Sequence, residues 1–228
     1  MLRCLLISIA GLSLSAAAGA PGRAPVLVEL FTSEGCSSCP PADRLLEQLD
    51  GQAIVLSEHV DYWDRLGWRD PYSSHANTQR QQAYARAFGT QGPYTPQLVI
   101  DGAVEFVGND ARRASEEFAR ARGREKVDVR VTRTAEGVLV EAAPSAHGAE
   151  VMLAIAKDNG ASQVAAGENA GHRLHHVAML ESLRKIGSVK KGAGFRQTVE
   201  VPANAERVIA FLQDSGMGKV YGVGILGR

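Results

Sequence analysis

The feature that most constrains this chain is a pair of cysteines, Cys36 and Cys39, set between an apolar run and an amphipathic one. Residues 26–31 are almost wholly apolar with β-branched members, the pattern of a buried strand. Pro40-Pro41-Ala42-Asp43 follows the second cysteine, and Leu45, Leu46 and Leu49 then recur at helical spacing before Gly51. Proline fits a first helical turn because its missing N–H is not needed there, and Asp43 suits the positive end of a helix. The spacing predicts a strand, a tight turn carrying Cys-x-x-Cys, and a helix beginning at Cys39. Cys36 then sits just before the first helical turn, where unpaired N–H groups and the helix dipole favour its reactive thiolate.

Cysteine usage sharpens this. The third cysteine, Cys4, falls in a stretch with Arg3, an apolar core from Leu5 to Leu14 and small residues through Ala20. That is the pattern of a secretory signal, predicted over residues 1–20 with cleavage after Ala18 or Ala20. The first cut is preferred, since the second leaves Pro21 directly after it. The competing reading is an uncleaved membrane anchor, for which the apolar run is short. Removal of the signal leaves Cys36 and Cys39 alone, in a periplasmic or secreted setting where disulfides persist. Lys+Arg and Asp+Glu are both 25 of 228 residues, so charge recruits neither nucleic acid nor, after cleavage, a membrane.

Further along, residues 53–61 read as a second strand, followed by a polar and aromatic loop from His59 to Pro71. Residues 77–88 read as a helix ended by Gly89. Residues 97–100, Asp101-Gly102 and residues 103–107 form a hairpin pattern, because Asp-Gly favours a type I′ turn. Asn109 or Asp110 caps a last helix running to Arg122. The order β-α-β-α-β-β-α, with Cys-x-x-Cys after the first strand, is a minimal α/β thioredoxin-like fold, assigned to residues 21–124. Seven strand-like segments follow: 127–133, 137–143, 150–157, 174–180, 195–201, 207–213 and 220–226. Turn signals separate many of them, among them Asp158-Asn159-Gly160 and Lys191-Gly192. They predict a C-terminal all-β sandwich-like domain, residues 125–228, packed on the first through a short linker.

The stretch Glu29-Leu-Phe-Thr-Ser-Glu-Gly-Cys-Ser-Ser-Cys-Pro-Pro-Ala-Asp43 resembles a family of secreted bacterial thioredoxin-like proteins described as a domain of unknown function. His59-Val60-Asp61-Tyr62-Trp63-Asp64 with Gly67-Trp68, Tyr94-Thr95-Pro96-Gln97, and Gly167-Glu168-Asn169-Ala170-Gly171 are similar to the same family. His172 stands where that family often has Arg. The resemblance implies a thioredoxin-like fold, a secreted location and an unassigned role. It also implies that Cys36 is the exposed nucleophile, that Cys39 resolves the mixed disulfide, and that Thr95-Pro96 is a cis-proline facing the pair. An X-Pro bond taken by itself is usually trans.

Other candidates rest on position. Glu29, a carboxylate in an apolar strand, either accepts protons from Cys39, as a similarly placed buried acid does in thioredoxin, or points to solvent from a rim. The His59 loop follows a strand parallel to the first, at the edge where open α/β sheets bind ligands. His59, Asp61, Trp63 and Thr95 are therefore substrate-binding candidates, whereas Trp68 reads as packing. His172, His175 and His176 do not share one strand face, so scattered histidines read better than a metal site. Gly167 to Gly171 reads as a shaped interface loop rather than a phosphate cradle.

Three functions follow. The leading one is a thiol–disulfide oxidoreductase without cofactor, acting on a protein or small-molecule thiol or disulfide with an unidentified redox partner. The second is a binding module whose disulfide is structural, and the third holds a soft metal such as copper on its thiolates.

Overall fold

The computed structural model describes residues 24–227; the expected signal peptide and Cys4 lie outside them. The first half comprises β1 (Leu27–Thr32), α1 (Pro40–Leu49), β2 (Ile54–His59), a 3-10 helix (Asp61–Leu66), α2 (His75–Phe88), β3 (Gln97–Ile100), β4 (Val104–Val107) and α3 (Ala111–Arg122). β1 lies between a parallel β2 and an antiparallel β3. The β3–β4 hairpin turns on Asp101 and Gly102, whose φ angles are 51° and 57°, the left-handed pair that Asp-Gly supplies. α2 is capped by the Ser74 side chain and α3 by that of Asp110.

Period-two alternation divides β1 between two layers. Val28 and Leu30 pack with Ala42, Leu46 and Leu49 of α1 and with Phe118 of α3. On the opposite face, Phe31 packs with Tyr84 of α2. Helices thus cover both faces of the sheet around β1.

The second half comprises β5 (Val129–Thr134), β6 (Gly137–Ala142), β7 (Ala149–Gln163), β8 (Arg173–Val189), β9 (Phe195–Val199), β10 (Arg207–Gln213) and β11 (Val220–Ile225). The eight-stranded sheet has the order β11-β10-β7-β8-β2-β1-β3-β4, so it runs on across the expected boundary at residues 124–125. The join is a parallel pairing of β2 with β8 at Ser57 and Met179. β5, β6 and β9 form a separate sheet that shares a core with β7 and β10 through Val131, Val140, Val151, Leu153 and Val208. Arg207 adds an ionic tie between the halves, with 3.0 Å contacts to both Asp50 oxygens and one of 2.9 Å to Asp158.

Two strands are much longer than their apolar segments. Asp158-Asn159-Gly160, expected as a turn, lies inside β7, where Asn159 pairs with Val177 and Gly160 with His176. Gly160 serves packing, since a Cβ there would stand 2.5 Å from the Tyr72 hydroxyl. Polar residues hold the extension because β8 supplies their ladder partners along its whole length.

Sheet stacking is closest at β11. A Cβ on Gly224 would lie 2.2 Å from the Val129 carbonyl oxygen, a contact that only backbone movement relieves. Gly224→Ala should therefore lower stability by about 1–3 kcal/mol, measured by urea denaturation. An unchanged midpoint would contradict this packing.

Candidate functional site

The turn between β1 and α1 is closed by hydrogen bonds from Cys36 N to Ser33 O and from Cys39 N to Cys36 O, both 3.1 Å. Cys39 is the N-cap of α1, and Pro40 and Pro41 open the helix. Cys36 and Cys39 form a disulfide with their Cα atoms 5.4 Å apart. Cys36 is not the exposed member expected from the resemblance: it keeps 1% of its surface, while Ser37 and Ser38 face solvent.

Segments from both halves enclose it. Trp63 of the 3-10 helix donates its indole N–H to Thr95 Oγ1 at 2.9 Å. Its Cβ lies 3.1 Å from where a side chain on Gly35 would begin. The Thr95–Pro96 peptide is cis. Pro96 O accepts from Gly108 N at 2.8 Å, and the bare Gly108 Cα packs among Leu30, Pro96 and Ala42. The structure thus gathers Trp63, Thr95 and Pro96 beside the turn. The loop between β7 and β8 reaches it from the other side. Asn169 Nδ2 donates to Glu34 O at 2.8 Å and to Cys36 O at 3.0 Å, and Glu168 Oε2 accepts from Ser37 N at 3.0 Å.

Beneath the turn lies a buried polar network. The Glu34 carboxylate accepts from Trp68 Nε1 at 2.8 Å, from the Ser162 hydroxyl, and from His176 Nε2 at 3.2 Å. Glu34 N donates to Asp70 Oδ2, which also meets His59 Nδ1 at 2.6 Å. The His59 and His176 rings cross edge to face with centroids 4.5 Å apart. Burial disfavours charge on His176, but Asp43 and Glu34 outweigh it and push its pKa up to about 10. Burial likewise works against the Asp70 anion, yet His59 and the Glu34 and Tyr72 amides hold it below the usual carboxylate range.

Several expected placements change. Glu29 faces α2, where its oxygens bind Arg80 and accept from Tyr84 OH at 2.7 Å, rather than α1 and Cys39. Adjacent strand residues point to opposite faces, so Glu29 is one position away from the layer holding Val28 and Leu30. Glu58 shares that far pocket, 3.4 Å from Arg80 Nε, and burial pushes its carboxyl well above the usual range despite Arg80. His59 is fully buried and serves the network, not a surface. Asp61 binds Thr78 and His75, fastening the 3-10 helix to the start of α2. Trp68 packs inward on Glu34. His172 and His175 are exposed, but His176 is a buried partner of Glu34 rather than a scattered surface histidine.

The residues that sequence reasoning missed are Glu34, Asp70, Glu168, Asn169 and His176. Glu34 and Gly167-to-Gly171 lay within similar motifs, but their contacts join positions more than 130 residues apart. Among the described residues, no group of three or more His, Cys, Asp or Glu is arranged to hold a metal.

His176 makes stability depend on pH. Its folded pKa lies above the ordinary histidine value of about 6.5, so its contribution is complete below that pH and lost as pH rises toward 10. With the disulfide kept oxidised, the urea midpoint should fall between pH 6.5 and 10. His176→Gln should be less stable at pH 6.5 and show a shallower fall. Equal pH slopes in the two proteins would contradict the assignment.

Comparison with known proteins agrees with this architecture. Residues 27–213 match the family described as "Protein of unknown function (DUF1223)". The crystal structure of protein AGR_C_4864 from Agrobacterium tumefaciens superposes with a TM-score of 0.77 at 29% identity, covering 92% of this chain and 97% of that one. HBP35 of Porphyromonas gingivalis shares the fold at 17% identity and a TM-score of 0.57, covering 89% of this chain and 74% of the other. A thioredoxin from Methanocaldococcus jannaschii is 30% identical over 97 residues, 42% of this chain and 95% of that protein. The chain carries a thioredoxin-like α/β core within a larger sheet, and it belongs to the DUF1223 family of proteins of unknown function.

Proposed function

We propose that this protein is a periplasmic or secreted thiol–disulfide oxidoreductase. The observation that carries the reading is the Cys36–Cys39 disulfide at the N-terminus of α1, where the helix dipole favours a thiolate. In the dithiol form, the Cys36 thiolate attacks one sulfur of a substrate disulfide. The substrate S–S bond breaks, and its other sulfur leaves as a thiolate. Cys39, deprotonated, then attacks Cys36 in the mixed disulfide and frees the second substrate thiol. Two electrons pass to the substrate, and the Cys36–Cys39 disulfide remains for an unidentified redox partner to reduce. Trp63 and Thr95, joined by a hydrogen bond beside the turn, are the candidate substrate contacts, and Asp61 fastens the 3-10 helix that carries Trp63 to α2.

Burial of both sulfurs favours a second reading, in which the bond only staples the turn of a binding module. Reduction potential separates the two. Equilibration with glutathione or dithiothreitol, read by thiol alkylation and mass, should give a value between about −270 and −180 mV. A value below about −300 mV would identify a structural staple and end the catalytic reading.

A further inference from the structure

The loop between β7 and β8 contacts the cysteine turn in two chemically different ways. Asn169 is buried and neutral, and its amide bridges the carbonyls of Glu34 and Cys36. That contact fixes shape. Glu168 is exposed and charged, and its carboxylate accepts from the amide of Ser37, the residue directly after Cys36. This amide belongs to the cysteine turn, two residues before the N-cap of α1, and it directly follows the Cys36 residue whose sulfur carries the developing charge.

We propose that Glu168 is a positioning residue that sets the redox poise of the Cys36–Cys39 pair, making it more reducing by placing a fixed negative charge on the Ser37 amide. The inference rests on the oxidoreductase reading and deepens it. A carboxylate next to a nascent thiolate disfavours the thiolate, and it withdraws part of the amide's stabilisation of that anion. Destabilising the thiolate destabilises the dithiol form relative to the disulfide, which lowers the reduction potential; an oxidant of this fold gains its strength from the reverse effect.

Other carboxylates near the turn have a basic side chain against them: Glu34 and Asp43 share His176, and Asp70 meets His59. Among the described residues, Glu168 has no such basic partner at the turn; its hydrogen bond with Ser37 is what favours its ionised form. The C-terminal half therefore acts on the electronics of the turn as well as its shape, through one exposed side chain.

Glu168→Gln tests this, because the amide oxygen keeps the hydrogen bond to Ser37 while the charge is removed. In the variant, the Cys36 pKa, followed by thiolate absorbance or alkylation rate against pH, should fall by about 0.5–1. The equilibrium constant with glutathione should shift three- to tenfold toward the dithiol, about 15–30 mV less negative. Both differences should shrink in 1 M salt, since the charge is exposed. A purely structural Glu168 would give none of these shifts, with Glu168→Gln matching the parent in pKa and potential; that result overturns the proposal. Asn169→Ala serves as the structural comparison, and a shift there without salt dependence distinguishes loosening of the turn from loss of charge. If neither protein equilibrates with glutathione or dithiothreitol, the oxidoreductase reading fails first.

Discussion

The structure turns on the buried carboxylate of Glu34. An anion removed from water costs several kcal/mol unless its lone pairs are filled, and here they are filled from three distant segments: Trp68, Ser162 and His176. Its backbone is held as well, its N–H by Asp70 and its carbonyl by Asn169. Two residues before Cys36, this group makes the conformation of the redox turn depend on the C-terminal strands. Losing His176 would leave the buried carboxylate without its ionic partner, so the network ties the two halves together at the turn.

That dependence fits the topology. A thioredoxin-like core ends its sheet at β2, leaving an edge that must be covered or paired. Here β8 pairs with β2 and carries His176 to the same layer as His59, while β7 brings Ser162 and the loop after it brings Glu168 and Asn169. One pairing thus protects the edge and delivers four side chains to the site. Arg207 strengthens the join at the other end of α1 through Asp50.

What the sequence made legible was local. The apolar run before Cys36, the prolines after Cys39 and the Asp-Gly hairpin each carry their own backbone chemistry, and β1, α1, β3 and β4 fall within a residue of their expected bounds. What remained hidden needs register or distance. Glu29 reads the same from composition whichever face it takes, and a one-position offset sends it to Arg80 instead of toward α1. Gly160 carries a turn signal, yet it is required by the Tyr72 ring and lies mid-strand. His176 is indistinguishable in sequence from its exposed neighbour His175. The buried Cys36 is bound at its carbonyl by Asn169, more than 130 residues away, a contact that no local spacing announces.

The same burial gives the oxidoreductase account its sharpest exposure to failure, because an enclosed sulfur has to meet its substrate. The most direct measurement is to incubate reduced Cys39→Ala protein with oxidised glutathione or a peptide disulfide and map adducts by mass spectrometry. The account predicts a persistent mixed disulfide on Cys36, resolved when Cys39 is present and absent from Cys36→Ala. Failure of Cys36 to form any adduct in folded, reduced protein would contradict it.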